Sequence, residues 1–267
     1  MAWEKSKNII YFLLNTLSFL ARAVFRSPRI SILMYHSIGD NQVLFTVTAA
    51  DFATQLAFLK QKGYAVVALS ELVGSLKAGK KITDKTIVLT FDDGYQDNYF
   101  NAWPILKRYN FPATIFVSTD YLGKQMNNSQ GIPIPVLNRV QIREMAESGL
   151  IEFGSHAHTH PRLNQISDRE FADEVAVSKK ILEEITGRPC RFFAYPKGYF
   201  KPAFVEILAS FGFEAALTVK DGLVKTSQNK YSLPRNFIYS TCGFAQFKGK
   251  LNYSVEIFNS IKHFLMK

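Results

Sequence analysis

Two adjacent carboxylates follow an apolar stretch of the chain. Residues 86–89 (Thr-Ile-Val-Leu) have the β-branched composition of a buried strand, and Asp92 and Asp93 come soon after it. Carboxylates at the end of a buried strand need a cation, a proton or strong hydrogen bonds, because burying an unpaired charge is costly. Residues 155–161 (Ser-His-Ala-His-Thr-His-Pro) contain a His-x-x-x-His pattern. Together these groups indicate a metal-dependent hydrolase.

His156 and His160 are four residues apart and would share one face of a helical turn. Their neutral imidazoles and one carboxylate would form a two-His, one-Asp set with positions left open for water and substrate, as a catalytic site requires. The set suits Zn²⁺, although Fe, Co, Ni and Mn bind similar ligands. We therefore expect a divalent metal, with zinc as the first candidate. His158 is expected to point elsewhere.

Only one member of the Asp pair can easily reach this metal, because neighbouring side chains on an extended segment diverge. The other carboxylate would face the water and could accept its proton as a general base. The alternative is that both Asp side chains cap a turn before Gly94 by accepting backbone N–H groups.

The residues around these groups resemble the polysaccharide deacetylases with the NodB homology domain, carbohydrate esterase family 4. Three segments between residues 31 and 240 carry the resemblance: 90–95 (TFDDGY), 154–161 (GSHAHTHP) and 193–198 (FAYPKG). The resemblance implies a distorted (β/α)7 barrel and hydrolysis of an N-acetyl or related acyl group on an amino sugar. It also makes one carboxylate, Asp92, the general base and assigns the metal to three ligands: Asp93, His156 and His160.

The third segment departs from the family pattern, which places an Arg just before the Pro to orient the base. This chain has Ala194 and Tyr195 there. Arg235 is a candidate substitute, and a surface Arg is the alternative. By motif position, the backbone N–H of Lys197 is expected to hold the oxyanion that forms on the acyl carbon. Tyr95 or Tyr195 is a candidate to flank the sugar ring, and simple packing is the alternative.

The general acid also departs from the family pattern. The family usually supplies it from a C-terminal Leu-x-His, whereas the last histidine here, His263, lies in a tail that we expect to fray. Residues 33–38 (LMYHSI) are instead similar to the N-terminal motif of the poly-N-acetylglucosamine deacetylases, in which the His comes early in the chain. The resemblance therefore assigns His36 to protonate the leaving amine. A structural His at a strand end is the alternative.

Strand and helix patterns alternate along the chain, which predicts an α/β fold with parallel strands and crossover helices. The suspected groups fall at the carboxyl ends of strands, where both barrels and open sheets build their sites. About seven units favour a barrel, formed by one domain over residues 29–267. Residues 123–135 read as a surface loop, and Cys190 and Cys242 as free thiols.

The net charge of +10 favours anionic partners, but the chain has no dense Lys/Arg cluster with interleaved aromatics, so we expect no nucleic acid. Residues 1–28 contain an apolar run, 9–23, with basic residues on both sides of it. This run is shorter than the roughly 20 apolar residues of an ordinary membrane span. A membrane-associating segment, as an interfacial helix or single anchor, is the leading interpretation. A cleaved signal peptide and a buried core helix are the alternatives.

These features predict a metal-dependent carbohydrate deacetylase that acts on an N-acetylated glycan or glycolipid. We expect it at the bacterial cell envelope, associated with a membrane. An O-acetyl esterase on a polysaccharide is the alternative enzyme. A catalytically inactive carbohydrate-binding protein and a membrane-anchored scaffold are the alternatives outside catalysis.

Overall fold

The structure of the protein is a computed structural model. It describes residues 6–16, 29–41, 43–80, 82–128 and 130–265. The predicted membrane-associating segment 1–28 is therefore described only over residues 6–16, which are helical (α1). Within the described ranges, we find no helix that combines the length and the apolar character needed to cross a bilayer.

Short strands alternate with helices, as the sequence predicts. The strands are β1 (Arg29–Tyr35), β2 (Ser37–Ile38), β3 (Thr46–Val47), β4 (Ala65–Val66), β5 (Thr86–Phe91), β6 (Ala113–Val117), β7 (Gln125–Asn127), β8 (Pro133–Pro135), β9 (Ile151–Ser155), β10 (Phe192–Ala194), β11 (Ala215–Leu217), β12 (Val224–Lys225) and β13 (Asn236–Phe237). The main sheet has the order β11-β10-β9-β6-β5-β1-β12, with β4 paired to β5 and β13 to β1. Its pairings are parallel except for β1 with β12.

The helices after α1 are α2 (Ala49–Gln61), α3 (Leu69–Lys77), α4 (Trp103–Tyr109), α5 (Arg139–Glu147), α6 (Asp168–Thr186), α7 (Pro202–Ser210), α8 (Phe244–Lys250) and α9 (Ser254–Leu265). A π-helical turn, Asn98–Ala102, precedes α4. The ends of α6 follow from its sequence: Ser167 and Glu170 form a capping box, and Gly187 ends the helix in a left-handed conformation.

Side chains of β5 alternate between two apolar clusters. Leu89 and Phe91 join the larger cluster, which includes the buried faces of α2, α4, α5, α6 and α7. Val88 joins a smaller cluster with side chains of β1, β6, β10, β11 and α3. Strands from opposite ends of the row can share one compact cluster only if the sheet curls, so we infer that the smaller cluster lies on its concave side.

The segment that leads into β13 connects β11, at one end of the curled sheet, with β1, the strand next to the other end. Leu233 pairs with Leu217 of β11, and Asn236 pairs with Leu33 of β1. Arg235 therefore lies between β1 and β11. This architecture agrees with the predicted α/β class as a curled, mostly parallel sheet, whereas the exact (β/α)7 count stays a prediction.

Two local predictions were wrong. Residues 123–135, predicted as a loop, contain the antiparallel hairpin β7–β8, whose proline-bearing strand β8 is an edge strand that can lack N–H donors. The C-terminal region, predicted to fray near His263, forms α8 and α9, and α1 packs against both. The sequence does not reveal these helices because the element that buries their apolar side chains lies more than 200 residues away. No disulfide joins Cys190 and Cys242, as predicted.

Candidate metal centre and catalytic cavity

Asp92 and Asp93 leave the end of β5 on a tight turn. The N–H of Asp92 still donates to the carbonyl oxygen of Tyr35 at 3.0 Å, which continues the pairing with β1. Asp93 (φ 70°) and Gly94 (φ 66°) are then both left-handed. A Cβ on residue 94 would lie 2.9 Å from the side chain of Val117, so both the conformation and the available space require glycine there. This turn lets the two carboxylates meet different partners.

The histidine segment 156–160 is an irregular loop, so the prediction of a helical turn was wrong. Ala157 (φ 64°) and His160 (φ 57°) are left-handed and reverse the chain. Glu174 of α6 accepts the backbone N–H groups of the two residues after Ala157, at 2.7 and 2.8 Å. A carboxylate from another element thus replaces the hydrogen bonds of a helical turn. Sequence reasoning missed it because Glu174 occupies an ordinary polar position of α6.

The loop and the β5 turn bring the three predicted metal ligands together. The Nε2 atoms of His156 and His160 each lie 3.5 Å from Oδ1 of Asp93. One ligand atom from each of the three residues lies within 4.8 Å of the other two. The spacing is suited to a single divalent cation, and the donor set of two imidazole nitrogens and one carboxylate oxygen leaves positions open.

The protonation of the two imidazoles also suits a cation. Nδ1 of His156 lies 2.8 Å from the carbonyl oxygen of Ala194. A carbonyl only accepts, so Nδ1 carries the proton and Nε2 presents its lone pair towards Asp93. Burial lowers the pKa of His156 to about 4. Burial, together with the charge of Lys197, lowers the pKa of His160 to about 4 as well. Both rings are therefore neutral near pH 7 and able to ligate.

Asp92 is held by Arg235 rather than by the histidines. The guanidinium of Arg235 donates from both terminal nitrogens to the two carboxylate oxygens at 2.6 Å each. Burial alone would raise the pKa of Asp92, but the positive charge and hydrogen bonds of Arg235 hold it well below its usual range. Asp92 therefore remains ionised although it is buried.

Arg235 is itself fixed on several sides. Its Nε donates to the carbonyl oxygen of Thr218 at 2.9 Å, and its guanidinium lies 5.6 Å from the ring centroid of Phe116. The side chain is fully buried, so the alternative of a surface Arg was wrong. Its position also explains Ala194 and Tyr195: the orienting Arg comes from another segment, and Tyr195 instead donates its hydroxyl to the carbonyl oxygen of Tyr231 in the core.

His36 follows β1 and lies between two aromatic rings. The centroids of Phe45 and Phe237 are each 5.2 Å from that of the imidazole. His36 lines the same cavity as the Asp pair and the two ligand histidines. The cavity therefore contains a histidine that the predicted metal set does not use.

The π-helical turn and the residue before it hold the chain around His36. Asn98 Nδ2 donates to the carbonyl oxygen of His36 at 2.8 Å, and Asn101 Nδ2 donates to that of Ile38 at 2.7 Å. The carboxylate of Asp97 accepts from the hydroxyl of Ser37 at 2.5 Å. Sequence reasoning missed this clamp because these residues read as the polar face of a helix, with no sign that they face β2.

The cavity has a volume of about 420 Å³. It is lined by every predicted catalytic and metal-binding side chain except Arg235: His36, Asp92, Asp93, His156, His160 and Lys197. Tyr95, Arg162 and residues 126–128 of the hairpin complete much of its wall. Neither Tyr195 nor His263 is among the described residues that line it, so the prediction that Tyr195 could stack on a sugar was wrong.

Comparison with known proteins identifies the family. The family model for polysaccharide deacetylase matches residues 79–216. The chain belongs to the polysaccharide deacetylase family. It is also 31% identical over 210 residues to YxkH of Bacillus subtilis, named a putative polysaccharide deacetylase, a match that covers 79% of this chain and 71% of the relative. The predicted family and enzyme class, a carbohydrate deacetylase, are confirmed.

Relatives with more specific names also resemble this polysaccharide deacetylase. The poly-beta-1,6-N-acetyl-D-glucosamine N-deacetylase of Staphylococcus epidermidis is 27% identical over 199 residues, with 72% of this chain and 67% of the relative covered. The structure of IcaB from Ammonifex degensii has a TM-score of 0.74 and 27% identity over 84% of this chain and 97% of its own. The Streptococcus pyogenes deacetylase PplD, solved with acetate, has a TM-score of 0.72 and 28% identity over 83% and 99%.

Proposed function

We propose that the protein is a metal-dependent hydrolase that removes the N-acetyl or a related acyl group from an amino sugar of a glycan or a lipid-linked saccharide. One observation carries the proposal: a two-His, one-Asp set and a separately held carboxylate line a single cavity. A closed structural site would use a fourth protein ligand, whereas this set faces open space. The family membership supports the same reaction class.

Three residues would hold the metal: Asp93, His156 and His160. A divalent cation bound there supplies Lewis acidity, which polarises an acyl carbonyl and makes water more acidic. Zinc is our first candidate, and iron, cobalt, nickel and manganese fit the same donors. The neutral imidazoles and the fixed Nδ1–H of His156 prepare the ligands before any ion binds.

Asp92 would act as the general base. It lies next to the metal ligand Asp93 in the chain and lines the same cavity, so it can accept a proton from a water positioned beside the acyl carbon. Arg235 fixes both of its oxygens, which keeps the carboxylate ionised and orients it. Arg235 is thus proposed as a positioning residue, because it acts through Asp92.

The reaction also needs a hydrogen-bond donor that stabilises the oxyanion and an acid that protonates the leaving amine. We assign the backbone N–H of Lys197 to the oxyanion, because Lys197 lines the cavity in a left-handed turn between Pro196 and Gly198. We assign His36 to protonate the amine as the acyl group leaves. The hydrogen bond from Asn98 to the carbonyl oxygen of His36 supports this role, since an acid must be held within hydrogen-bond reach of its substrate.

The substrate class follows from the relatives and from the cavity. The Staphylococcus epidermidis relative is named for a polymer of N-acetylglucosamine, and we extend that class, an N-acetylated glycan or glycolipid, to this chain. The volume of about 420 Å³ lies in the range of small-molecule pockets, roughly 300–1,000 Å³, which suits one sugar unit with its acyl group.

The test is acetate release from a panel of N-acetylated oligosaccharides and lipid-linked sugars, with O-acetylated polysaccharide included. We expect release from an N-acetylated substrate, its loss with a chelator, and its return with one of the five metals. Release from the O-acetylated substrate alone would make the protein an esterase. Binding of glycans without release by the metal-loaded protein would identify it as a carbohydrate-binding protein.

A further inference from the structure

Helix α1 is fixed to the C-terminal helices by one of its faces. The ring of Tyr11 stacks on Phe258 of α9 at a centroid distance of 4.8 Å. Asn15 donates to the carbonyl oxygen of Ala245 in α8 at 2.9 Å. A Cβ on residue 249 would lie 2.1 Å from Tyr11, so Gly249 is what allows the ring to approach α8. The described part of α1 is therefore packed against the rest of the fold and belongs to it.

The opposite face of α1 is apolar and exposed. Ile9, Phe12 and Leu13 are 63%, 60% and 55% exposed, and their i, i+3, i+4 spacing puts them on one side of the helix. We call these three side chains the α1 patch. Clustered large apolar side chains on a fixed helix are unusual on a surface that meets only water, and they mark an interaction site.

Basic groups accompany this region, while its acidic groups are neutralised. Lys262 of α9 is exposed and lines a cleft of about 280 Å³ together with Lys7 and Tyr11 of α1. Two acidic residues nearby are ion-paired: Glu256 with Arg29 at 2.5 Å, and Asp221 with Lys250 at 3.0 Å. With these ion pairs formed and a net charge of +10 for the whole chain, an anionic surface would be attracted to the molecule.

The same region adjoins the catalytic cavity. Phe237 lines the cleft beside α1, and its ring also contacts His36, which lines the catalytic cavity. Leu44 is exposed and lines the cleft, and the next residue, Phe45, lines the cavity. The cleft beside α1 and the catalytic cavity are therefore neighbours in the fold.

We propose that the α1 patch inserts into the headgroup region of an anionic lipid bilayer, with Lys262 close to the lipid phosphates. An interfacial helix needs an apolar face and cationic flanks, and α1 with its surroundings has both. A second copy of the chain fits less well, since a stable dimer buries about 800 Å² on each partner, more than three side chains can provide. The docking would bring the cavity to saccharides at the membrane surface, a consequence that rests on the proposed function.

The test is co-sedimentation of the full chain with phosphatidylcholine vesicles, with and without phosphatidylglycerol. We expect binding to the anionic vesicles that weakens as salt rises. The triple variant Ile9→Gln, Phe12→Gln, Leu13→Gln should bind at least about ten-fold more weakly, because it removes most of the inserting apolar area. A matched control replaces exposed apolar residues on α5 and α6, Val140→Gln with Val177→Gln, and should bind like the wild type.

A second variant, Lys262→Glu, leaves the apolar face intact and should weaken binding to anionic vesicles only. Circular dichroism and acetate release from a soluble substrate should be unchanged in every variant. Equal vesicle binding by wild type and both test variants, or no binding by wild type, would overturn the docking. A dimer in light scattering that the triple variant abolishes would identify a second copy as the occupant. Vesicle binding without acetate release from any substrate would instead refute the proposed chemistry and leave the docking intact.

Discussion

The guanidinium of Arg235 donates two parallel hydrogen bonds of 2.6 Å to the carboxylate of Asp92, and both side chains are buried. This ion pair determines the protonation state and the basicity of Asp92, the proposed general base. A carboxylate with so low a pKa is always ionised at neutral pH, but it is a weak proton acceptor. The proton that Asp92 accepts must therefore come from an unusually acidic water, which is consistent with its place beside the proposed metal site.

Replacing Arg235 by Lys should lower kcat by on the order of 100-fold, because a single ammonium cannot hold both oxygens of Asp92. The metal content, measured by elemental analysis, should stay unchanged because Arg235 donates its hydrogen bonds to Thr90, Asp92 and Thr218 and not to the predicted metal ligands. The control is Arg191→Lys, a more exposed Arg that is also paired with a carboxylate, on Glu214. Loss of metal from the Arg235 variant, or wild-type turnover, would contradict the positioning role.

The two carboxylates of the β5 turn should respond differently to the same substitution. Asp92→Asn should reduce acetate release by about 100-fold or more while the protein keeps its metal, since a carboxamide cannot serve as the base. Asp93→Asn should instead lower the metal content, because a cation bound between Asp93 and the two Nε2 atoms would lose the one charged ligand of the three. Metal content and turnover measured on both variants decide the assignment, which fails if the metal is lost from the Asp92 variant.

The sequence predicts the members of the site better than their geometry. Asp92, Asp93, His156 and His160 could be found because carboxylates and histidines at strand ends are rare and need partners. The backbone conformation of these residues could not be predicted. The left-handed conformations of Asp93 and His160 are set by contacts with distant elements, such as the support that Glu174 gives to the histidine loop.

The alternation of strands and helices along the chain could be predicted from the periodicity of the apolar residues. The capping signals at both ends of α6 were sufficient to place that helix. The C-terminal helices were not predictable in the same way. The side chains of α8 and α9 are stabilised partly by Tyr11 and Asn15, from the other end of the chain. Arg235 illustrates the same limit, since only the folded chain reveals which arginine meets Asp92.

His36→Gln should reduce kcat by about 100-fold without a change in metal content, because the variant retains a polar side chain at the cavity but cannot supply a proton. The matched control is His263→Gln, a substitution of an exposed histidine on α9. Steady-state kinetics should place the loss in kcat rather than in KM. If both histidine variants turn over like the wild type, the acid is another group, and His36 serves only to pack between Phe45 and Phe237.

Asp97 should make the stability of the protein depend on pH. Burial raises its pKa from 3.8 to about 6 in the folded chain, against the hydrogen bonds from Ser37 and Asn98 that oppose the rise. Below pH 4 the carboxyl is protonated in both folded and unfolded chains and has no differential effect. As the pH rises from 4 to 6, the unfolded chain loses this proton first, so the free energy of unfolding falls by at most about 3 kcal/mol.

The variant Asp97→Asn keeps a polar group of the same shape and removes this titration. Its free energy of unfolding, relative to that of the wild type, should therefore increase between pH 4 and pH 7 and then level off. Urea denaturation at several pH values measures the difference, and Asp120→Asn, a substitution in an exposed ion pair with Lys124, provides the control. A difference that is independent of pH, or that decreases over this interval, would mean that Asp97 is already ionised at low pH in the folded protein. In that case the hydrogen bond from Ser37, which fixes β2, would be accepted by a charged carboxylate and not by a protonated carboxyl.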